Sequence, residues 1–334
     1  MSPALPKVCL LIGPGTLHSR GRHRLDTFRY APWSSGNPRL SGEELLAAVP
    51  ELNQFADIEI DPGNPHEVAT MDDLRRLALR IEAFAARPDV AGIVFVQGTN
   101  SLEETAYFLH LTVHTRKPIA ITGAQRPFTA LSADGPMNLV DAVRVASSSE
   151  AVGMGVLVVT NNEINCARDV TKTHAYRVQT FRSRDLGVLG SVEADRVVFY
   201  RAPVRRHTEA SAFRLDPEKP IPYVEVLYVH NGARAELAQA VLDLGAKGIV
   251  VAGVGSGSTG VFRERLAAVA REGRAVVVRA SRVGEGRVLH DDQWQEPGMV
   301  AADSLSPHKA ALLLALALME TNDPARIQTC FDEY

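Results

Sequence analysis

The 334-residue sequence predicts an α/β protein with a larger N-terminal and a smaller C-terminal domain, each built on a mainly parallel sheet flanked by helices. Short aliphatic runs alternate with amphipathic segments of helix length, a pattern typical of βαβ units. The chain is also longer than one ordinary hydrophobic core supports. Between Leu189 and Pro222 the alternation stops in a polar stretch rich in arginine and proline. We therefore expect domains over residues 1–195 and 223–334, joined by a linker over residues 196–222.

Eight aliphatic runs are predicted to be strands, because each is short, apolar and set between longer segments of helical pattern. In chain order they cover residues 8–12, 58–60, 92–96, 119–122, 155–159, 223–229, 248–252 and 275–278. Three helices are predicted where a hydroxyl side chain is followed three residues later by an acidic one. These pairs are Ser41 with Glu44, Thr70 with Asp73 and Ser101 with Glu104, and the helices are expected to end near residues 49, 86 and 111. A packed helix is expected over residues 310–319, after Ser306-Pro307.

Charge and cysteine content exclude several function classes. The 36 basic and 39 acidic residues are mixed along the chain and give a net charge of −3, so we expect no nucleic-acid partner. The longest apolar stretch is shorter than a membrane span, so no membrane insertion is predicted. The three cysteines are widely spaced, and the ten histidines show no HxxxH or HExxH pattern, so no disulfide framework and no metal site are predicted. A cytoplasmic location fits this cysteine usage best.

Two threonines follow predicted strands in glycine-containing turns. Thr16 ends the run Gly13-Pro14-Gly15-Thr16 after the first strand, and Thr99 lies in Gln97-Gly98-Thr99-Asn100 after the third. In open α/β sheets, ligands bind beyond the carboxyl ends of the strands. Glycine beside a hydroxyl lets a substrate approach the backbone, whose N–H groups can stabilise an oxyanion. Taken alone, each turn is better explained as a tight turn with a helix cap.

Three further features have both a functional and a plain structural interpretation. Lys172 lies in a polar run and would be a base for a threonine if burial lowered its pKa, but the spacing alone favours a solvated loop lysine. The basic cluster Arg20, Arg22, His23 and Arg24 is typical of a solvated loop, within a long segment of the length seen in lids and binding loops. The glycine-rich run 253–258 lacks the Lys-Ser/Thr of a phosphate-binding loop, so no nucleotide cofactor is predicted.

Six motifs in the same order resemble those of the bacterial-type L-asparaginases, the asparaginase-glutaminase family. They are the runs QGTNSLEETAYF at residues 97–108, TGAQRP at 122–127, SADGPMNL at 132–139, DVTKT at 169–173, AGVGSG at 252–257 and SPHKA at 306–310. The resemblance covers nearly the whole chain. It implies an amide-hydrolysing enzyme without metal or cofactor, acting on a small-molecule amide. It also implies a homotetramer, a dimer of dimers, with each site between the larger domain of one subunit and the smaller domain of a neighbour.

The resemblance also assigns roles to individual residues. The catalytic residues are Thr16, Thr99, Lys172, which works with Thr99, and Tyr30 on the lid. Backbone near Thr99 and Ala124 would hold the oxyanion. The substrate-binding residues that the matching motifs imply are Gln97, Gly98, Asn100, Ala124, Asn64 and Ser256. An acidic residue contributed by a neighbouring subunit cannot be assigned among Glu285, Asp291 and Asp292.

Three departures from the family pattern concern the substrate. Asn100 stands where the family has the aspartate that receives the substrate α-ammonium group. Pro14 removes one backbone N–H from the first turn, and the turn around Asn64 lacks the serine that binds the substrate α-carboxylate. The leading hypothesis is therefore a threonine amidohydrolase for a small amide, or a cyclic amide or ester, without the α-amino pattern of asparagine. The alternatives are an ordinary L-asparaginase, in which the Asn100 side-chain oxygen accepts a hydrogen bond, and a non-catalytic metabolite-binding relative. Retention of all four catalytic residues argues against the last.

Overall fold

The computed structural model describes residues 4–291 and 298–334 and divides the chain into two compact units. The first unit ends at Ser211 and the second begins at Ala212. This division falls within residues 196–222, which also contain a strand, Val197–Phe199, of the first sheet. Both units are α/β, which confirms the predicted fold class.

The first unit is built on an eight-stranded sheet. Its strands are β1 (Lys7–Ile12), β2 (Asp57–Ile60), β3 (Val90–Val96), β4 (Ile119–Thr122), β5 (Val156–Thr160), β6 (Glu163–Cys166), β9 (Gly190–Val192) and β10 (Val197–Phe199), in the spatial order β10-β9-β6-β5-β4-β3-β1-β2. The strands from β2 to β5 pair in parallel, as predicted. The strands β6, β9 and β10 extend the sheet by antiparallel pairing. A separate antiparallel pair is formed by β7 (Thr171–Lys172) and β8 (Phe181–Arg182).

Five helices accompany this sheet: α1 (Pro32–Ser35), α2 (Gly42–Ala48), α3 (Met71–Ala85), α4 (Leu102–Thr112) and α5 (Gly135–Ala146). The capping boxes predicted at Ser41 and Thr70 are confirmed by reciprocal hydrogen bonds with Glu44 and Asp73. The side-chain cap predicted at Ser101 is wrong, although α4 does begin after it. The backbone of Ser101, at φ −121° and ψ 19°, does not adopt the extended conformation of a capping residue.

The second unit carries a smaller, wholly parallel sheet. Its strands β11 (Val224–Tyr228), β12 (Gly248–Gly253), β13 (Val276–Ser281) and β14 (Met299–Ala301) lie in chain order, and its helices are α6 (Leu237–Asp243), α7 (Arg263–Arg271), α8 (Pro307–Ala317) and α9 (Pro324–Glu333). Helix α8 is buried along nearly its whole length, which confirms the predicted packed helix.

Burial of the central strands explains why apolar runs in the sequence predict them. In β1 and β3 nearly every side chain is buried, because helices cover both faces of a parallel sheet. Such strands read as continuous apolar runs rather than as alternating ones. Within the described ranges, no group of three or more His, Cys, Asp or Glu side chains is placed to hold a metal ion. In that same part of the chain, no helix combines the length and apolar character needed to cross a bilayer.

Candidate active site

The two glycine–threonine turns contact each other through their backbones. Strands β1 and β3 are neighbours with Ile12 paired to Val96, so the turns that follow them leave the sheet side by side. The Gly98 N–H donates to the Pro14 carbonyl at 2.7 Å. A Cβ on Gly15 would lie 2.6 Å from the Gly98 nitrogen, which no real side chain tolerates. Glycine at position 15 is therefore required by the close approach that brings the two threonine loops together.

Thr16 is buried and lies against the tyrosine predicted to act with it. Its hydroxyl donates to the Tyr30 Oη at 3.2 Å. The long segment between β1 and α2 folds back to bring Tyr30 there. Asp26 secures this segment by accepting from the Arg22 Nε and the Arg29 N–H, each at 2.8 Å. The Arg22 hydrogen bond is the main reason why the pKa of Asp26 falls to about 2. Arg22 is therefore an ion-pair partner within the loop rather than only a solvated side chain.

Thr99 forms the second pair, with Lys172. The Lys172 Nζ donates to the Thr99 Oγ1 at 2.7 Å, across 73 positions of sequence. Thr99 is buried at the end of β3, and Lys172 is half-buried on β7. Burial lowers the pKa of Lys172, and the negative charge of Glu103 opposes this shift. A lysine that loses its proton more readily can accept the hydroxyl proton of Thr99, which is how a threonine becomes a nucleophile.

The loop after β4 is held next to these pairs by Asp134 and Asn138. Asp134 accepts the Gln125 and Arg126 N–H groups, each at 2.9 Å. The Asn138 amide donates to the Gly123 carbonyl at 2.9 Å. Ala124, the residue predicted to lie by the oxyanion, is buried between these contacts. The backbone of this loop is therefore fixed, as an oxyanion-binding backbone must be.

A cleft of about 640 Å³ opens over the second pair. It is lined by Thr27, Phe28, Tyr30, Thr99, Asn100, Gln125, Lys172, Thr173, His174, Ala175 and Tyr176. Tyr30 and the Thr99–Lys172 pair thus share one cavity with Asn100, whose side chain is exposed in it. Among the described residues that line this cleft there is no aspartate or glutamate.

Two predicted substrate-binding side chains are used within the fold instead. Gln97 is fully buried, and its amide donates to the adjacent Gly98 carbonyl at 3.3 Å. The Asn64 side-chain oxygen accepts the Ile12 N–H at 2.8 Å, which ties the turn after β2 to the end of β1. Asp61 strengthens this turn through His66 at 2.7 Å and Arg80 at 2.6 Å. Neither Gln97 nor Asn64 lines the cleft.

The chain matches two family models over almost all of its length. Residues 7–205 match "Asparaginase, N-terminal", and residues 223–331 match "Glutaminase/Asparaginase C-terminal domain". This chain belongs to the asparaginase family. It is therefore an amidohydrolase, an enzyme that cleaves carbon–nitrogen bonds.

Curated asparaginases and a solved structure resemble the chain throughout. It is 40% identical over 332 residues to L-asparaginase 2 of Bacillus subtilis, covering 99% of this chain and 87% of the relative. It is 36% identical over 334 residues to a glutaminase-asparaginase of Acinetobacter glutaminasificans, covering 98% and 99%. The crystal structure of a probable cytoplasmic L-asparaginase from Campylobacter jejuni superposes with a TM-score of 0.91 at 35% identity, covering 98% of this chain and 99% of that one.

The remaining predicted residues of this asparaginase-family chain lie in the second unit. Ser256 is exposed on the turn after β12, where Val254 and Ser258 form an isolated bridge. Glu285 and Asp291 are exposed in the segment between β13 and β14. Asp292 lies outside the described residues.

Sequence reasoning missed three residues that hold this site in place. Asp134 and Asn138 fix the loop after β4, and Glu103 accepts a hydrogen bond from the Lys172 backbone at 3.0 Å. All three lie in motifs that carried the family resemblance. For Glu103 and Asn138, the signal that could have found them is their polarity within otherwise buried helices, because a buried polar side chain needs a partner. Asp134 directly precedes α5, where an acidic side chain is also typical of a helix start.

Proposed function

We propose that this asparaginase-family enzyme uses a threonine nucleophile on a small amide, or a cyclic amide or ester, that lacks the α-ammonium group of asparagine. The observation that carries the proposal is Asn100, a neutral amide in a cleft whose described lining contains no carboxylate. An ammonium group moved from water into such a cleft would lose hydration without gaining a counter-ion. A substrate without that group avoids this cost.

The proposed reaction has two stages. A threonine hydroxyl attacks the amide carbon while its proton passes to a base; for Thr99 that base is the neutral Lys172 Nζ, 2.7 Å away. Backbone N–H groups near Thr99 and Ala124 stabilise the oxyanion that forms. The protonated base then returns this proton to the amide nitrogen, the carbon–nitrogen bond breaks, and the nitrogen leaves as ammonia, or stays attached to the product where the amide is cyclic. Water attacks the threonine ester, releasing the acid and restoring the hydroxyl.

The test is a matched pair of substrates. L-Asparagine and succinamic acid differ only in the α-amino group, so their kcat/KM ratio measures how the cleft treats that group. We expect succinamic acid to be preferred by about 100-fold or more, as for a buried charge left unpaired. Succinimide and a small lactone extend the panel to cyclic substrates, with ammonia or acid release as the readout. Efficient turnover of asparagine, with kcat/KM in the range of about 10⁴ to 10⁸ M⁻¹s⁻¹, would overturn the proposal.

An ordinary L-asparaginase is the second candidate, favoured by the names of the relatives. In that case the Asn100 side-chain oxygen accepts a hydrogen bond from the substrate ammonium, and asparagine wins the matched comparison. A non-catalytic metabolite-binding protein would turn over no member of the panel. The same panel therefore separates all three functions.

We also propose that the enzyme is a homotetramer and acts in the cytoplasm. The tetramer follows from the family resemblance, and the cytoplasmic location from the small, odd number of widely spaced cysteines. The names of related proteins include both locations, a probable cytoplasmic L-asparaginase and a probable periplasmic one. Cell fractionation of the native host with an antibody to this chain tests the location.

A further inference from the structure

Glu103 is a buried carboxylate at the start of helix α4 whose bonds lead to the catalytic lysine. Its side chain is 7% exposed. One oxygen, Oε1, accepts both the Lys172 N–H at 3.0 Å and the Thr171 hydroxyl at 3.1 Å. A buried carboxylate is costly unless hydrogen bonds satisfy it. Both residues of β7 donate hydrogen bonds to this carboxylate.

The strand that contains Lys172 is held by little strand pairing. β7 contains only two residues and pairs only with the equally short β8, through Thr171 with Arg182 and Lys172 with Phe181. Thr99 precedes Glu103 by four positions, in the turn that leads into α4. Glu103 thus links helix α4, which follows the turn containing Thr99, to the backbone of Lys172.

We propose that Glu103 is a positioning residue for the Thr99–Lys172 pair: its carboxylate holds the Lys172 backbone so that the Lys172 Nζ reaches the Thr99 hydroxyl, and its negative charge acts on that amine. The inference rests on the proposed role of Lys172 as a base. Nothing in the family resemblance stated above assigns a function to Glu103.

The charge of Glu103 has a defined direction of effect. A negative charge nearby favours the protonated lysine and so raises the pKa of Lys172, against the lowering caused by burial. Removing the charge while keeping an acceptor lowers that pKa. Because Lys172 must be neutral to take a proton, the rising limb of a pH–activity profile then moves to lower pH.

Other titratable groups pack around these elements and remain in place in the proposed variants. Tyr107 follows on α4, and the ion pair Arg168–Asp169 precedes β7, with both charges acting on Tyr107. Tyr30 and His174 face the cleft beside Lys172. Among the charged groups that the structure describes, Glu103 is the one that raises the pKa of Lys172.

The experiment measures the lysine directly, without any substrate. Full-length protein is treated with trace acetic anhydride from pH 6 to 11, and acetylation of Lys172 is quantified by mass spectrometry. The exposed Lys247 in the same chain corrects for reagent concentration. In Glu103→Gln we expect the midpoint for Lys172 to fall by about 0.5 to 1 pH unit. Glu104→Gln, one position along the same helix turn, controls for the general effect of losing a charge there.

Activity on the best member of the substrate panel separates charge from geometry. Glu103→Gln keeps the acceptor, so its rising limb should move to lower pH with a modest change in kcat. Glu103→Asp keeps the charge but shortens the side chain, so its limb should stay in place while kcat falls about tenfold or more without a matching rise in KM.

Two results would overturn the proposal. One is an unchanged Lys172 midpoint in Glu103→Gln, and the other is an equal shift in Glu104→Gln. Both come from labelling, so they remain decisive even if no member of the substrate panel is turned over, which would count against the proposed function instead. If Glu103→Gln did not fold, Glu103→Asp would still test the positioning role, and a kcat equal to that of the native protein in this shortened variant would overturn the proposal.

Discussion

The two threonine hydroxyls differ in the partner that each one has. The Thr99 hydroxyl is hydrogen-bonded to the Lys172 amine, which burial makes easier to deprotonate, whereas the Thr16 hydroxyl is hydrogen-bonded to the phenol of Tyr30. Both side chains are buried, so valine replaces either of them without leaving a cavity. We expect Thr99→Val and Thr16→Val each to lower kcat by about 10³-fold or more, because the covalent route loses its nucleophile or its relay.

The control for this pair is Thr112→Val, a buried threonine of α4 whose hydroxyl donates to the Phe108 carbonyl. Thr112→Val should keep the kcat of the native enzyme, although its free energy of unfolding should change because this hydrogen bond is lost. Rapid-quench mass spectrometry locates the acyl group of the native enzyme on one of the two threonine peptides. A variant that kept more than about a tenth of the activity, a loss under about 1.4 kcal/mol, would show that its threonine takes no part in the chemistry.

The residue at position 100 determines whether the cleft over the Thr99–Lys172 pair contains a carboxylate. Asn100→Asp restores a carboxylate to the cleft, so we expect asparagine hydrolysis to rise about tenfold. The gain is partial, because Asn64 and its turn are committed to Ile12 rather than to a substrate carboxylate. A new negative charge favours the protonated lysine, so the rising limb of the pH profile should move to higher pH.

Asn53→Asp adds the same charge at an exposed residue of the turn before β2 and serves as the control. It should change neither the substrate ratio nor the pH limb. An unchanged asparagine rate in Asn100→Asp, with the limb shifted as expected, would show that the missing carboxylate is not what excludes asparagine.

Residue identities could be predicted here to the extent that a motif fixes them. Thr16, Tyr30, Thr99 and Lys172 were predicted, and the structure brings them together as two bonded pairs. The exact partners of Gln97 and Asn64 could not be predicted, because the sequence does not say whether a polar side chain faces a ligand or a neighbouring backbone N–H.

At the scale of elements, the site depends on the contact between the turns after β1 and β3. A Cβ at position 15 would meet backbone atoms of Gln97 and Gly98 at 2.7 and 2.6 Å, and backbone cannot move aside as a flexible side chain can. We expect Gly15→Ala to lower the free energy of unfolding by about 2 kcal/mol or more and to reduce turnover further. Urea unfolding and kcat of the same preparations measure both effects.

Gly232→Ala is the matched control, since an added Cβ there meets only ordinary contacts at 3.5 Å or more. It should leave stability unchanged or slightly raised. Equal stability losses in the two variants would mean that the turn contact tolerates movement and that Gly15 is not needed for it.

The elements that could be predicted are those with their own local signal. Buried parallel strands and helices with a capping box were predicted within one or two residues, because apolar runs and caps are local properties. The exception is β13, which extends three residues beyond its predicted end at residue 278. The strands β6, β9 and β10 were missed because each is only three or four residues long and is defined by its antiparallel partners. The parallel strand β14 was missed because it has only three residues.

At the scale of the whole molecule, the residues that line the cleft, among those the structure describes, all belong to the first unit. Aromatic side chains around it are strongly exposed, with Phe28 at 74% and Tyr176 at 70%. Hydrogen bonds stabilise an oxyanion more strongly in a site that is shielded from bulk water, and an open cleft gives little shielding. A neighbouring subunit would complete such a site, as the family resemblance implies.

We therefore expect light scattering to give a mass about four times that of the 36.2 kDa chain, the closed dimer of dimers that isologous interfaces produce. If the site is completed between subunits, dilution below the dissociation constant should abolish turnover together with the tetramer, because each separated chain retains the Thr99–Lys172 pair but loses the residues that cover it. Sedimentation velocity over the same concentrations shows whether the two losses coincide. Their coincidence distinguishes a shared site from a tetramer that is merely stable, in which activity per chain would survive dissociation. A monomer with full activity would show that one chain closes its own site.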